Sequence, residues 1–375
     1  MAYVAARGGE QAILRAEALH GRLRAPLSAA IVRQIEAHLP YLVDRVMGEG
    51  SLYAPELAAL ALAQSGGDLY EAVLLLRAYR STQPRIAYAE PVGQEQLHTL
   101  RRISAAFKDI PGGQILGPTL DYSHRLLRLD LLDGLGGPEH GGAPSSSTDG
   151  AVTPAELPQT PPGPSSPLPA VADWQRASGL LATLPDAPAP DPAELPDVTR
   201  DPVHFPAPRA HRLQSLARAD TGGALALGYA SMRGYGLAHP TVNELRLAHA
   251  DVLLRHPITG ATFSAGRVRV SQCEVVNTSA VELRLGYAAT LGWNEVKVIA
   301  AAMLDLEMDA PTPHPAHREE FVLYHTEPVE SSGFCIHYKL PHYVTFQSGL
   351  DALRAVRAEG SEGSVQAQSG AEEQA

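Results

Sequence analysis

The chain has 375 residues and a mass of 39.8 kDa, beyond the usual span of one domain, so two globular units with a connector are expected. Its 30 Lys and Arg against 41 Asp and Glu give a net charge of −11, which opposes broad adhesion to nucleic acid but leaves room for a local basic pocket that takes a small phosphate. Two cysteines, Cys273 and Cys335, exclude a disulfide framework or a four-cysteine zinc or iron–sulfur site of the chain's own. With no run near the roughly 18 apolar residues of a membrane span and no apolar signal core, a reducing, cytoplasmic setting away from membranes is expected.

In chain order, Ile31, Ile35, Leu39, Leu42 and Val46 recur as one buried helix face would. Pro55 predicts the first turn of a helix over ELAALALAQ, Gly66-Gly67 its end, and Asp68 with Glu71 a capping box opening LYEAVLLLRAYRS. A further helix is expected to end near Asp109, where PGGQ interrupts, and another to run over about 119–132, which makes residues 1–135 a mainly helical domain. Of the 31 prolines, 17 lie between Pro138 and Pro208. Residues 136–200 therefore read as a Pro/Gly/Ser-rich, largely disordered linker. Within it Trp174, Leu180, Leu181 and Leu184 recur at helical spacing, the pattern of a short helix or docking segment. Beyond the linker RVRVSQCEVV alternates as a half-buried strand does, FVLYH and FCIHYKL read the same way, and helices are expected around 213–230 and 295–306. Residues 201–357 form a mixed sheet–helix domain on this reading and 358–375 a frayed tail. The fold class is α+β or mixed α/β.

Chemistry concentrates in RRISAAFKDIPGGQILGPTLDYSHRLL, which places Arg101, Arg102 and Lys108 before a Gly112-Gly113 turn and Gln114, Asp121, His124 and Arg125 after it. Cations and converging backbone amides suit phosphate; the competing reading is a basic helix face and an ordinary turn. The Walker pattern is absent. Asp121 and His124, three apart on the expected helix, could share a ligand or pair with each other. In RGYGLAHP, Arg233 and Tyr235 lie on a glycine-flanked loop before His239, able to face a ligand or simply to end a helix. Glu274 and Asn277 in QCEVVN, and Glu295 with Lys297, include carboxylates that could protonate a leaving group, although exposed Glu and Lys usually do not. His337 and His342 lie five apart across a Lys-Leu-Pro bend and could bind zinc with ligands from His325, Cys335, substrate or another chain. His314 and His317 form a similar pair in a proline-rich loop.

Together these segments, with YVAARGGEQAI, VDRVMGEG, ELAALALAQSGGD, EAVLLLRAYRS, CEVVN and EEFVLYHTEPVESSGFCIHYKLPHYVTFQ, resemble the PhnI family, subunit I of the bacterial carbon–phosphorus lyase core complex, over almost the whole chain outside the proline-rich insert and the tail. The resemblance implies an enzyme of phosphonate catabolism that, with its partners, displaces adenine from ATP by methylphosphonate to give α-D-ribose 1-methylphosphonate 5-triphosphate. Alone it implies a purine nucleosidase in which water replaces the phosphonate. It further implies subunits G, H and J as partners, with K and L, in a two-fold assembly. Subunit J, a radical S-adenosylmethionine enzyme, would carry the iron–sulfur cluster for which this chain lacks cysteines. It also implies a zinc ion at a partner contact, on the positions matching His337 and His342. The chain departs from the family at Gly286-Tyr287-Ala288 and at Glu295-Val296-Lys297, where a Gly-Tyr-Gly segment and a Glu-Arg-Lys run are expected. On this reading Arg101, Arg102, Lys108, Gly112 and Gly113 neutralise the triphosphate, and Asp109, Asp121 or His124 is the acid or stabilising group. The competing classes are a non-catalytic scaffold for the cluster-bearing partner and a metal-dependent phosphohydrolase.

Overall fold

The computed structural model describes residues 8–23, 26–132, 168–184, 191, 193–235, 239–279, 281–340 and 346–359. Its N-terminal part is a stack of helices: α1 (Gly9–Arg22), α2 (Ala29–His38), α3 (Pro40–Gly50), α4 (Pro55–Ser65) and α5 (Leu69–Ser81). The apolar stripe from Ile31 to Val46 is split between two helices, because Pro40 cannot continue α2 and instead opens α3. Pro55 starts α4, Gly66 ends it in the left-handed region, and the Asp68 carboxylate caps α5 by accepting from the N–H groups of Tyr70 and Glu71. Val43, Val46, Met47, Ala58, Leu62, Val73 and Leu76 close the core between them.

Residues 98–109 do not form the expected helix. His98–Ile103 is a strand, β1, and among the described residues it is the edge of a four-stranded antiparallel sheet with β2 (Thr241–Arg255), β3 (Thr262–Thr278) and β4 (Leu283–Leu291), in the order β1-β2-β3-β4. Six residues are too few for periodicity to separate helix from strand, and a waiting partner edge decides. The expected helix over 119–132 is also absent: Asp121 lies in a turn, and only Leu129–Leu132 makes a 3₁₀ turn. The alternating RVRVSQCEVV does fall within β3.

Within the proline-rich region, Val171–Ala177 forms a short helix, α6, and Leu181 is buried. The apolar island is therefore docked, while 133–167 and 185–190 lie outside the described residues. Then α7 (Arg209–Ala217), α8 (Thr221–Ala230) and α9 (Glu295–Met308) cover one face of the sheet, with a core of Leu216, Ala224, Leu245, Cys273, Val275, Ala288, Val298 and Leu304. FVLYH and FCIHYKL are helical rather than extended, in α10 (Glu319–His325) and α11 (Pro328–Tyr338). Glu327 accepts from the N–H groups of Val329 and Glu330 and Pro328 sits in the first turn, a helix start that outweighs β-like composition. A last helix, α12, spans 346–359. The architecture is α+β, helices first and then sheet plus helices.

Asp44 fastens the helical stack to the sheet. Its carboxylate takes two nitrogens of Arg269 on β3 (2.6 and 3.1 Å) and the N–H of Trp293 (2.9 Å), and its carbonyl accepts from Asn294. Gly292 (φ 77°) makes this approach possible, since a Cβ there would lie 2.7 Å from that of Asp44.

Candidate functional site

Consecutive side chains of a strand point to opposite faces, so β1 sends its two arginines apart. Arg101 points to the side of α9, donating to Glu295 (2.6 Å), to the Leu116 carbonyl (2.5 Å) and to Asp121 (2.8 Å). Asp121, half exposed, also accepts from Thr119 and Arg125. The result is a chain Glu295–Arg101–Asp121–Arg125 that runs from the buried Arg101 out to solvent, with Lys108, Asp109 and His124 exposed. Asp121 and His124 share no helix face, because no helix forms.

Arg102 is fully buried on the other face. Its Nε binds Glu244, one Nη donates to the carbonyls of Pro111 (2.6 Å) and Gly113 (3.0 Å), and the other to that of Pro169 (2.7 Å). Arg102 therefore holds the glycine turn, and the two arginines cannot clamp one phosphate together. Gly112 and Gly113 are both left-handed (φ 81° and 74°), with the Gly113 N–H on the Ile110 carbonyl. Gln114 ties the preceding loop, accepting from Ser104 N–H and donating to the carbonyls of Phe107 and Lys108.

Around Arg102 the sheet face is polar. Arg246 donates to the same Glu244 oxygen (2.7 Å), and Glu244 stands directly across the strand pair from Glu274. Glu274 is 4% exposed and accepts from Gln94 (3.0 Å) and Asn243 (3.1 Å). Burial, with Glu244 beside it, raises its pKa against the effect of those two hydrogen bonds. One carboxylate is thus gripped by two guanidinium groups while its neighbour's pKa is raised, the kind of separation that acid–base chemistry uses. Tyr287, its hydroxyl on Gln272, is pushed up to about 12 by burial and by Glu274.

Burial is what the sequence hid. Glu274 and Lys297 are both interior, not exposed. Lys297 is 1% exposed and its Nζ has no hydrogen-bond partner; burial lowers its pKa to about 8 against the pull of Glu49. Glu49 accepts from Arg45, from the N–H of Thr221 and from its hydroxyl, while Arg77 donates to the Glu49 carbonyl and pairs with Glu327. Beside Glu327 a cavity of about 320 Å³ is lined by Asp201, Phe205, Arg218, Tyr324 and Glu330 among others. Charged residues in otherwise apolar helices, Glu49 and Arg77 above all, were the available signal.

The other expected residues do not converge. Arg233 is exposed near the Tyr229 ring, at the non-helical end of the α8 segment that runs on to Tyr235, and 236–238 lie outside the described residues. His337 is half-buried in the last turn of α11, its ring edge-on to Tyr338, and His342 lies outside the described residues. Among the described residues no three His, Cys, Asp or Glu gather as a metal set. Imidazole suits zinc, but a site at His337 needs His342 and ligands from another chain to reach four. No helix among the described residues is long and apolar enough to cross a membrane.

Residues 2–360 match the family described as bacterial phosphonate metabolism protein (PhnI). The chain is 44% identical over 373 residues to the putative C-P lyase subunit protein HtxH of Stutzerimonas stutzeri, covering 95% of this chain and 96% of that one. It is 41% identical over 376 residues to the alpha-D-ribose 1-methylphosphonate 5-triphosphate synthase subunit PhnI of Escherichia coli (strain K12), covering 96% and 100%. To the protein of the same name from Rhizobium meliloti (strain 1021) it is 40% identical over 371 residues, 95% of each chain.

Proposed function

Because the chain belongs to the PhnI family of bacterial phosphonate metabolism, we propose that it is the ribosyl-transferring subunit of a carbon–phosphorus lyase complex, displacing adenine from ATP by methylphosphonate. The 41% identity across the whole of a relative named for that synthesis carries the reading. A phosphonate oxygen attacks C1′ of the ribose, the C1′–N9 bond breaks with its electrons going to adenine, and a proton neutralises the departing base. In the chain alone water takes the place of the phosphonate. The transition state is oxocarbenium-like, so the site must neutralise phosphates, assist the base and hold an anion on the opposite ring face.

In this reading the exposed Lys108 and Arg125 meet the triphosphate, with the buried Arg101 behind them fixing Asp121. Asp121 is the foremost candidate to stabilise positive charge, ahead of Asp109 and His124, because two guanidinium groups hold its carboxylate in place. Arg102 and Gln114 shape the turn, and Arg233 and Tyr235 contribute from their loop. His337 and His342 hold zinc with a partner's ligands; when bound, zinc supplies a Lewis acid. Subunits G, H and J, with K and L, are the partners.

The test follows products of ATP chromatographically. Free adenine is expected first, and Asp121→Ala should cut its release about 100-fold, roughly 3 kcal/mol of transition-state stabilisation, with thermal stability unchanged. Unaltered turnover removes Asp121 from the mechanism. Inorganic phosphate as first product favours a phosphohydrolase, and no adenine even with partners present favours a scaffold. Metal analysis of the assembled complex checks the histidine pair: a double alanine variant that keeps full zinc occupancy rejects it.

A further inference from the structure

On the polar face of the sheet two buried cations are hydrogen-bonded to one carboxylate. Arg102 and Arg246, both 0% exposed, share Glu244, while the facing Glu274 is engaged by the amides of Gln94 and Asn243. The remaining guanidinium nitrogens rest on main-chain carbonyls. Arg246 donates to Gln94 O at 3.1 Å, and its last nitrogen reaches only Leu168 O and Pro169 O, at 3.5 and 3.4 Å. Such distances are long beside the 2.7–2.9 Å typical of ionised pairs. Pro169 O thus receives both guanidinium groups, at 2.7 Å from Arg102 and 3.4 Å from Arg246. A neutral oxygen between two buried cations stands where an oxyanion would be held more strongly.

The segment that supplies this oxygen is short and is docked through a small set of contacts. Leu168 rests over Gly112, where a Cβ would come within 2.9 Å of Leu168 Cδ2, so the glycine turn makes room for it. The Val171 N–H donates to Glu244 (3.0 Å), Gln175 and Asn243 exchange amide bonds (2.7 and 3.0 Å), and Trp174 meets Phe107 edge-on at 5.3 Å. Helix α6 has seven residues, too few to persist in water without these contacts. The same short stretch covers the turn and both guanidinium groups.

We propose that residues 168–177 are a plug whose Pro169 carbonyl occupies the place of a tetrahedral oxyanion, phosphate or phosphonate, and that the plug lifts when that anion binds Arg102 and Arg246. The choice of anion rests on the function proposed above; the plug rests on geometry alone. Because the closed state and the anion compete, each must weaken the other by the same factor.

The experiment uses the full-length chain with inorganic phosphate and methylphosphonate as separate probes, read by calorimetry and by hydrogen exchange across 168–184. Either anion should quicken exchange there. Gln175→Ala, and independently Trp174→Ala, should bind the anion about fivefold more tightly, whereas Arg246→Lys, which keeps the charge and loses the fork, should bind at least tenfold more weakly. Exchange that slows or stays constant, or loosened variants that bind no more tightly, overturns the plug. Methylphosphonate bound more tightly than phosphate assigns the site to the phosphonate nucleophile; equal binding assigns it to a phosphate group, and both support the site. Anion binding by a chain that releases no adenine from ATP even with its partners present would reject the enzymatic reading and leave the plug standing.

Discussion

The two faces of one sheet are built from alternate residues of the same strands, yet they obey different rules. Leu245, Cys273, Val275 and Ala288 look toward α9 and join an apolar core, whereas Glu244, Arg246, Glu274 and Tyr287 look the other way into a buried ionic layer. Burial of apolar surface explains the first face at about 25 cal/mol per Å². It cannot explain the second, since removing charges from water costs several kcal/mol each and an apolar replacement is often no less stable. A fold alone has little use for that layer; a site for an anion or a proton transfer does.

The contrast can be broken most forcefully at Glu244. Glu244→Ala leaves Arg102 and Arg246 buried without the carboxylate both are bonded to, and urea denaturation should show a loss of about 4 kcal/mol; a loss below about 1 kcal/mol would mean the layer is solvated and the contrast false. On the apolar side Leu304→Ala should cost about 3 kcal/mol through lost transfer energy and a residual cavity.

Lys297 is a buried charge on α9 that faces the helical stack. Its folded pKa, about 8, lies below the unfolded value of 10.5, so the unfolded chain binds more protons between those limits and stability rises with pH across that window. Lys297→Met should abolish the rise and stabilise the protein near pH 7 by on the order of 2 kcal/mol, visible in denaturation curves at pH 7 and 9.5.

The smallest effect is expected at Glu274. A carboxyl whose folded pKa is raised contributes fully below its unfolded pKa and loses that contribution as pH climbs through the folded value. Glu274→Gln, which mimics the protonated form, should stay within about 1 kcal/mol of the parent at pH 7 and flatten the decline above pH 4.5. A steeper decline in the variant would contradict a raised pKa.

Local chemistry was legible wherever neighbours in sequence decide the outcome. The cap at Asp68, the start at Pro55, the stop at Gly66, the alternation in β3 and the apolar run of α9 could all be read directly. Arg101 and Arg102 could not be sorted, because their divergence depends on β1 being a strand, and that depends on an edge about 150 residues away. FCIHYKL misled for the same reason in reverse, since aromatic and branched residues suit either state until Glu327 caps a helix, and FVLYH is helical in α10 without such a cap. Glu274 and Lys297 look like ordinary surface charges in one dimension, since only the docking of α6, α3 and α8 encloses them. The family resemblance was readable from long blocks in order and holds over nearly the whole chain. The roles of individual residues were not, because in three dimensions the cations of the Gly112-Gly113 segment divide between two surfaces.

The placement of β1 at the sheet edge sets a timetable for biogenesis. His98 pairs with His249, so at roughly 5–20 residues per second the ribosome needs on the order of 10–30 s to deliver the partner after β1 is made. During that interval the five leading helices can settle while a strand with exposed hydrogen-bonding groups waits beside a growing proline-rich tether. What the delay does select for is an edge unattractive to other chains, and a strand reading His-Thr-Leu-Arg-Arg-Ile, with two adjacent positive charges, discourages premature pairing with its own nascent copies.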